Sequence, residues 1–162
     1  MKKILSLSLA LVMAVTLLAG CTNNGGQKTT DVNLEEFYQT IFTDPENTPA
    51  MNPMEGEMLD AFYPGLTALE LKQTVAYMPM ITAVACEIVM VECANAADVD
   101  AVKTIFQARI DSQVNDHFNY PMVIEAWENE AQVVSNGNYV ALFVVSGMTE
   151  QVVESFNAAV AG

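Results

Sequence analysis

Apolar residues recur every three or four positions in several stretches of the chain, which is the spacing of helices that bury one face. Polar and charged residues occupy the positions between them, as on the outer side of a surface helix. The pattern predicts helices over residues 34–42, 54–62, 96–115, 122–127 and from 149 toward the end of the chain.

Four other stretches are rich in β-branched and aromatic residues, the composition of strands. They cover residues 72–78, 83–93, 132–135 and 139–145. The sequence Asn136-Gly137-Asn138 separates the last two, and an Asn-Gly pair between such runs is a strong signal for a hairpin turn. Residues 46–55 lie among prolines and are predicted as a loop.

The order of these elements predicts the fold class. An N-terminal helical segment is followed by two strand-strand-helix units, an arrangement typical of an α+β fold. We expect an antiparallel sheet of about four strands, with the helices packed on one face. This domain is expected to cover residues 33–162, because about 130 residues suffice for a single core.

The N-terminus has the pattern of a secretory signal peptide. Lys2 and Lys3 supply positive charge, residues 4–18 are apolar, and small residues lead to Cys21. The apolar run of about 15 residues is shorter than the ~20 that a transmembrane helix needs. We therefore expect residues 1–20 to be a lipoprotein signal peptide that ends at a lipobox.

Cys21 is the predicted lipidation site, since its thiol would carry the diacylglyceryl group before cleavage. Two acyl chains anchor a protein stably in a bilayer, whereas a single chain binds only marginally. Residues 21–32 are polar and contain glycine, which indicates a flexible tether. The expected location is the extracytoplasmic side of the cell membrane.

The charge of the chain narrows its possible partners. It has 20 acidic and six basic residues. Removal of Lys2 and Lys3 would leave four basic residues and a formal charge of −16. Such a surface is repelled by nucleic acid and by anionic lipid. We expect no nucleic-acid partner; the expected partners are the bilayer, through the anchor on Cys21, and an unidentified protein or small molecule.

Few residues offer metal or redox chemistry. Cys86 and Cys93 lie seven positions apart in one predicted strand, so they should face opposite sides and form no bridge. His117 is the only histidine, which does not suffice for a zinc site. Met51, Met54 and Met58 are at helical spacing and could bind Cu(I), although such stripes usually fill cores. No cofactor is expected.

The whole mature region resembles a domain-of-unknown-function family of small lipoproteins from Gram-positive bacteria, over most of residues 33–160. The resemblance rests on several short motifs of moderate joint specificity. They are Met58-Leu59-Asp60-Ala61-Phe62-Tyr63, Cys86-Glu87-Ile88, Ala97-Asp98-Val99, Ala108-Arg109-Ile110-Asp111-Ser112-Gln113, Tyr120-Pro121, Gly137-Asn138-Tyr139-Val140 and Val144-Val145-Ser146. The resemblance implies a cellular location and a fold, and it implies no known activity.

Two of these matching positions invite a physical interpretation. Glu87 interrupts an apolar strand, and Arg109 is the only arginine, on the predicted long helix. A buried carboxylate is costly unless it is paired, so we predict a Glu87–Arg109 ion pair between sheet and helix. A role in fixing the helix is favoured over a role in ligand binding.

The sequence therefore predicts a membrane-anchored extracytoplasmic lipoprotein, with a non-enzymatic binding or accessory role. No serine lies in a nucleophile-elbow pattern, and no residue is singled out as catalytic. Two alternatives remain: a carboxylate-dependent cell-surface hydrolase, and a copper-handling lipoprotein that uses its methionines.

Overall fold

The computed structural model describes residues 31–44 and 48–161. The predicted signal peptide, Cys21 and most of the predicted tether lie outside these residues. Within them, no helix is both long enough and apolar enough to cross a membrane.

The described residues contain one five-stranded sheet in which every neighbouring pair is antiparallel. The order across the sheet is β1-β2-β3-β5-β4. The strands are β1 (Met51–Pro53), β2 (Leu71–Pro79), β3 (Cys86–Cys93), β4 (Gln132–Asn136) and β5 (Tyr139–Val145). This confirms the predicted α+β class and antiparallel sheet, with one strand more than expected.

Five α-helices accompany the sheet in this part of the chain. They are α1 (Leu34–Ile41), α2 (Gly56–Phe62), α3 (Val99–Val114), α4 (Pro121–Asn129) and α5 (Thr149–Ala161). The predicted strand-strand-helix units correspond to β2-β3-α3 and β4-β5-α5, with α4 inserted between them.

The extra strand, β1, lies in the segment that the prolines led us to predict as a loop. Met51 pairs with Pro79 and Pro53 with Tyr77, at the edge of the sheet. Proline lacks a backbone donor, but an edge strand has one side that needs no donor, so Pro53 is tolerated there. The prediction of a loop was therefore wrong for residues 51–53.

The helices pack on both faces of the sheet, which corrects the expectation of one covered face. We call the face covered by α2, α3 and α4 the α3 face; its core includes Val89 and Phe106. The face covered by α1 and α5 is the α5 face; its core includes Ile88 and Phe156. Every residue of β3 and β5 is buried. Such strands are mostly apolar, because neither side faces water.

The tight connection between β4 and β5 confirms the predicted hairpin. Asn136 pairs with Tyr139, and Gly137 between them has a φ of 56°. Glycine adopts this left-handed conformation without the steric cost that other residues meet. The turn fixes the register that places alternate β5 residues in the two cores.

Candidate functional site

Strand β3 carries two carboxylates, Glu87 and Glu92, among otherwise apolar residues. Successive side chains of a strand point to opposite faces, so two residues five positions apart face opposite sides. Glu87 lies on the α3 face and Glu92 on the α5 face. Both are buried, with 2% and 7% of their surface exposed. Each therefore needs partners within the protein.

Glu87 is bound by Arg109, the residue with which the sequence analysis paired it. Arg109 Nε donates to Glu87 Oε1 at 2.8 Å, and Nη2 donates to Oε2 at 2.7 Å. The hydroxyl of Tyr63 donates a further hydrogen bond to Oε1. The bidentate geometry fixes both position and orientation of the guanidinium.

Three aromatic rings surround the guanidinium of Arg109. Its Cζ lies 4.7 Å from the ring centroid of Phe62, 5.8 Å from that of Tyr63 and 5.6 Å from that of Trp127. Aromatic faces attract a cation, and the attraction is stronger where water is excluded. The rings thus stabilise the charge that burial would otherwise penalise.

Protonation of the cluster follows from these contacts. Burial and the neighbouring Glu87 carboxylate raise the pKa of Tyr63 well above its usual value, so its hydroxyl keeps the proton that it donates. Burial lowers the pKa of Arg109, but its hydrogen bonds and attraction to Glu87 outweigh burial and raise the pKa. With both Glu87 oxygens bound by donors, the cluster is suited to holding α3 on the sheet rather than to proton transfer.

Arg109 also lines an open groove between α2 and α3, with a volume of about 590 Å³. Phe62 and Pro64 form one wall, and Ile105 and Ala108 contribute apolar surface from α3. Polar side chains follow toward the end of α3, at Ser112, Gln113 and Asp116. A small cavity of about 60 Å³ is lined by Arg109 and Gln113 together with Glu87 and Trp127. The ion pair therefore lies beside an accessible concave surface.

Glu92 has a separate set of partners on the α5 face. Lys72 Nζ lies 2.7 Å from Oε1, and Gln73 Nε2 donates to Oε2 at 2.8 Å. Gln73 also holds the chain that leads into α1: its Nε2 donates to Val32 O, and Leu34 N donates to its Oε1. The Tyr139 hydroxyl accepts a hydrogen bond from Val32 N. We call Glu92, Lys72, Gln73 and Tyr139 the Val32 clamp.

The Val32 clamp was not predicted, although the sequence contains a signal for it. Glu92 interrupts the same apolar strand as Glu87, so Glu92 also needs a partner when the strand is buried. Tyr63 and the aromatic rings around Arg109 gave no comparable signal, since apolar spacing identifies them only as core residues. The groove was not predicted either, because it is lined by two helices that are distant in sequence.

The two buried carboxylates do not form a catalytic pair. Glycoside hydrolysis requires two carboxyl groups on either side of one bond. Glu87 and Glu92 lie on opposite faces of the sheet, and each is bound by cationic and neutral donors. These two residues thus give no support to a hydrolase.

The three candidate copper ligands do not form the helical stripe that their spacing predicted. Met51 belongs to β1 and packs on the α5 face, whereas Met54 is buried in the core of the α3 face. Met58 lies on α2 and is 45% exposed. The strand at residues 51–53 breaks the helical periodicity, so the thioethers point into different environments.

The remaining metal candidates are also dispersed. His117 is exposed in the connection after α3. Cys86 and Cys93 are free and buried, and they lie on opposite faces as predicted. In residues 31–44 and 48–161, no group of three or more histidine, cysteine, aspartate or glutamate side chains could hold a metal ion.

A family model described as a domain of unknown function, DUF4358, matches residues 44–145. The chain belongs to the DUF4358 family. The match confirms the resemblance to a domain of unknown function, and it spans β1 to β5 with the Glu87–Arg109 pair and the groove. No curated protein matches the chain, and no solved structure matches it. The family match therefore assigns the chain to a family without a described function.

The buried ion pair gives a first prediction. Arg109→Met leaves the Glu87 carboxylate buried without a cation, so we expect the free energy of unfolding to fall by about 3–5 kcal/mol. Lys103→Met on the same helix is the control, because Lys103 and Asp100 are exposed and lie 3.3 Å apart. That exposed pair should contribute less than about 1 kcal/mol. Urea denaturation measures both, and equal small losses would contradict a stabilising pair.

The Val32 clamp gives a prediction about pH. Burial raises the pKa of Glu92. Hydrogen bonds from Lys72 and Gln73 and the charge of Lys72 lower this pKa by more, so the net result is a pKa below the usual value. A lowered pKa stabilises the fold above the pKa of the unfolded chain, and this stabilisation disappears as pH falls through the folded value.

We therefore expect Glu92→Gln to be less stable than the unaltered chain near pH 7, with a difference that shrinks below about pH 4. Urea denaturation across this pH range measures the difference. Glu154→Gln, at an exposed position of α5, should change stability by less than about 0.5 kcal/mol. A Glu92→Gln difference that stays constant down to low pH would refute the role of the charge.

Proposed function

We propose that this protein is a lipid-anchored, extracytoplasmic binding domain whose ligand or partner occupies the groove between α2 and α3. The groove is the observation that carries the binding role. Ligand sites are typically clefts of about 300–1,000 Å³ with apolar walls and a few polar groups. The groove has about 590 Å³, the apolar walls and the polar end at Asp116 that this description requires.

The proposed anchor rests on the sequence of the N-terminus. The charged, apolar and small-residue segments before Cys21 have the order of a lipoprotein signal. A chain with 20 acidic residues would not hold itself to an anionic membrane by its surface charge. Two acyl chains on Cys21 would supply that attachment.

The Val32 clamp supports the proposed attachment to a tether. Backbone atoms of Val32 bond with Tyr139 and Gln73, so the domain holds the chain at this residue. A flexible segment from Cys21 to Asp31 would span roughly 17–20 Å, by the ~5–6 Å × √n relation for such chains. The domain would then stand clear of the headgroups with its groove accessible.

The anchor is tested by labelling cells with an alkyne fatty acid. Cys21→Ser should abolish the label, because no thiol would accept the lipid. Cys86→Ala should keep label and location, since Cys86 is buried in the folded domain. Label retained by Cys21→Ser would rule out this anchor.

The binding role is tested by a thermal-shift screen of metals, sugars, amino acids and peptides. A ligand at 100 times its Kd stabilises the fold by about 2.7 kcal/mol, which raises Tm by several degrees. Ala108→Trp should remove such a shift by filling the groove, whereas Ala101→Trp at an exposed position outside the groove should keep it. No shift with any compound, or a shift that survives Ala108→Trp, would refute the groove as the site.

A further inference from the structure

The basic side chains of the described residues are all engaged. Lys72 pairs with Glu92, Lys103 with Asp100, and Arg109 with Glu87. The other basic residues of the chain precede residue 31, whereas all 20 acidic residues follow residue 30. The folded surface therefore presents an excess of negative charge to any ligand that approaches it.

The groove has the same imbalance. Arg109 and Asp116 are its charged lining residues. The charge of Arg109 is balanced by Glu87 through two hydrogen bonds. Asp116 Oδ1 accepts a hydrogen bond from the backbone N–H of Phe118, which leaves its charge unbalanced. A cationic group near Asp116 would be attracted, and an anionic ligand would find no unpaired cation in the groove.

The shape of the groove suits an elongated ligand. Its α3 side runs from Thr104 to Gln113, which at ~1.5 Å per helical residue is about 14 Å, and Asp116 follows just after the end of the helix. After Asp116 the chain carries large exposed apolar side chains: Phe118 is 99% exposed, Tyr120 54% and Met122 67%. Aromatic residues and methionine in such positions are typical of protein interfaces.

We propose that the groove binds a cationic, amphipathic peptide segment of a partner protein. A basic side chain of the segment lies at Asp116, and apolar side chains pack on Phe62, Pro64 and Ile105. The segment continues onto Phe118 and Tyr120. This inference rests on the proposed function, because it takes the groove as the binding site and adds the class of occupant.

The test uses the lipidated chain in neutral detergent and fluorescence anisotropy of labelled peptides. The probes are three synthetic peptides that share the same apolar residues and differ in the residues between them, which are lysine, serine or glutamate. The lysine peptide should bind most tightly and the glutamate peptide least. Raising the salt concentration should reduce the difference, because salt screens the exposed charge.

Two pairs of variants locate the site. Ala108→Trp should abolish binding of the lysine peptide, and Ala101→Trp should leave it unchanged. Asp116→Asn should weaken binding about two- to five-fold, the usual effect of one exposed ion pair. Glu154→Gln removes an exposed charge from α5, which lies on the opposite face of the sheet, and should have no effect.

The outcomes separate this inference from the proposed function. Suppose that the serine peptide binds as tightly as the lysine peptide and loses its binding in the Ala108→Trp variant. That result would overturn the requirement for a cationic peptide and leave the groove as a binding site. If the Ala108→Trp variant binds the lysine peptide as tightly as the unaltered chain does, the peptide is attracted by the acidic surface in general and not by the groove. That result would overturn the proposal. Absence of binding by all three peptides would overturn it as well.

Discussion

The architecture depends on the burial of one carboxylate in a central strand. Glu87 is shut off from water on the α3 face, so the fold must bring a cation to it. Arg109 supplies that cation from α3, and Tyr63 adds a donor from the end of α2. The bidentate contact fixes where α3 crosses the sheet. With α2 held against the same cluster, the space between the two helices becomes a groove of defined width.

The α5 face also contains a buried carboxylate, Glu92, but its partners come from a different part of the fold. Glu92 recruits Lys72 and Gln73 from the neighbouring strand rather than a helix, so its partners remain near the edge of the core. Through Gln73 and Tyr139 the same cluster holds the backbone at Val32. One strand thus uses two buried charges for two tasks, which are to fix the position of a helix and to hold the backbone at Val32.

Pairing of the basic residues shapes how the molecule can interact. Because Lys72, Lys103 and Arg109 are each paired with a carboxylate, the unpaired charge of the described residues is left to the remaining carboxylates. Such a surface is repelled by anionic lipid headgroups. It also gives the groove a preference by charge, while the apolar walls supply the contact area. Attachment by lipid and recognition by the groove would then be independent properties.

The sequence by itself determined the elements whose signals are local. Helical spacing, the Asn136-Gly137 turn and the β-branched runs predicted the five helices and four of the five strands, because backbone preferences act over a few residues. The cost of a buried charge predicted the contact of Glu87 with Arg109. Only the tertiary structure decided that helices cover both faces, that residues 51–53 join the sheet edge, and that Met51 and Met54 lie apart. These outcomes, like the groove and the Val32 clamp, depend on residues distant in sequence meeting in space, which no local pattern encodes.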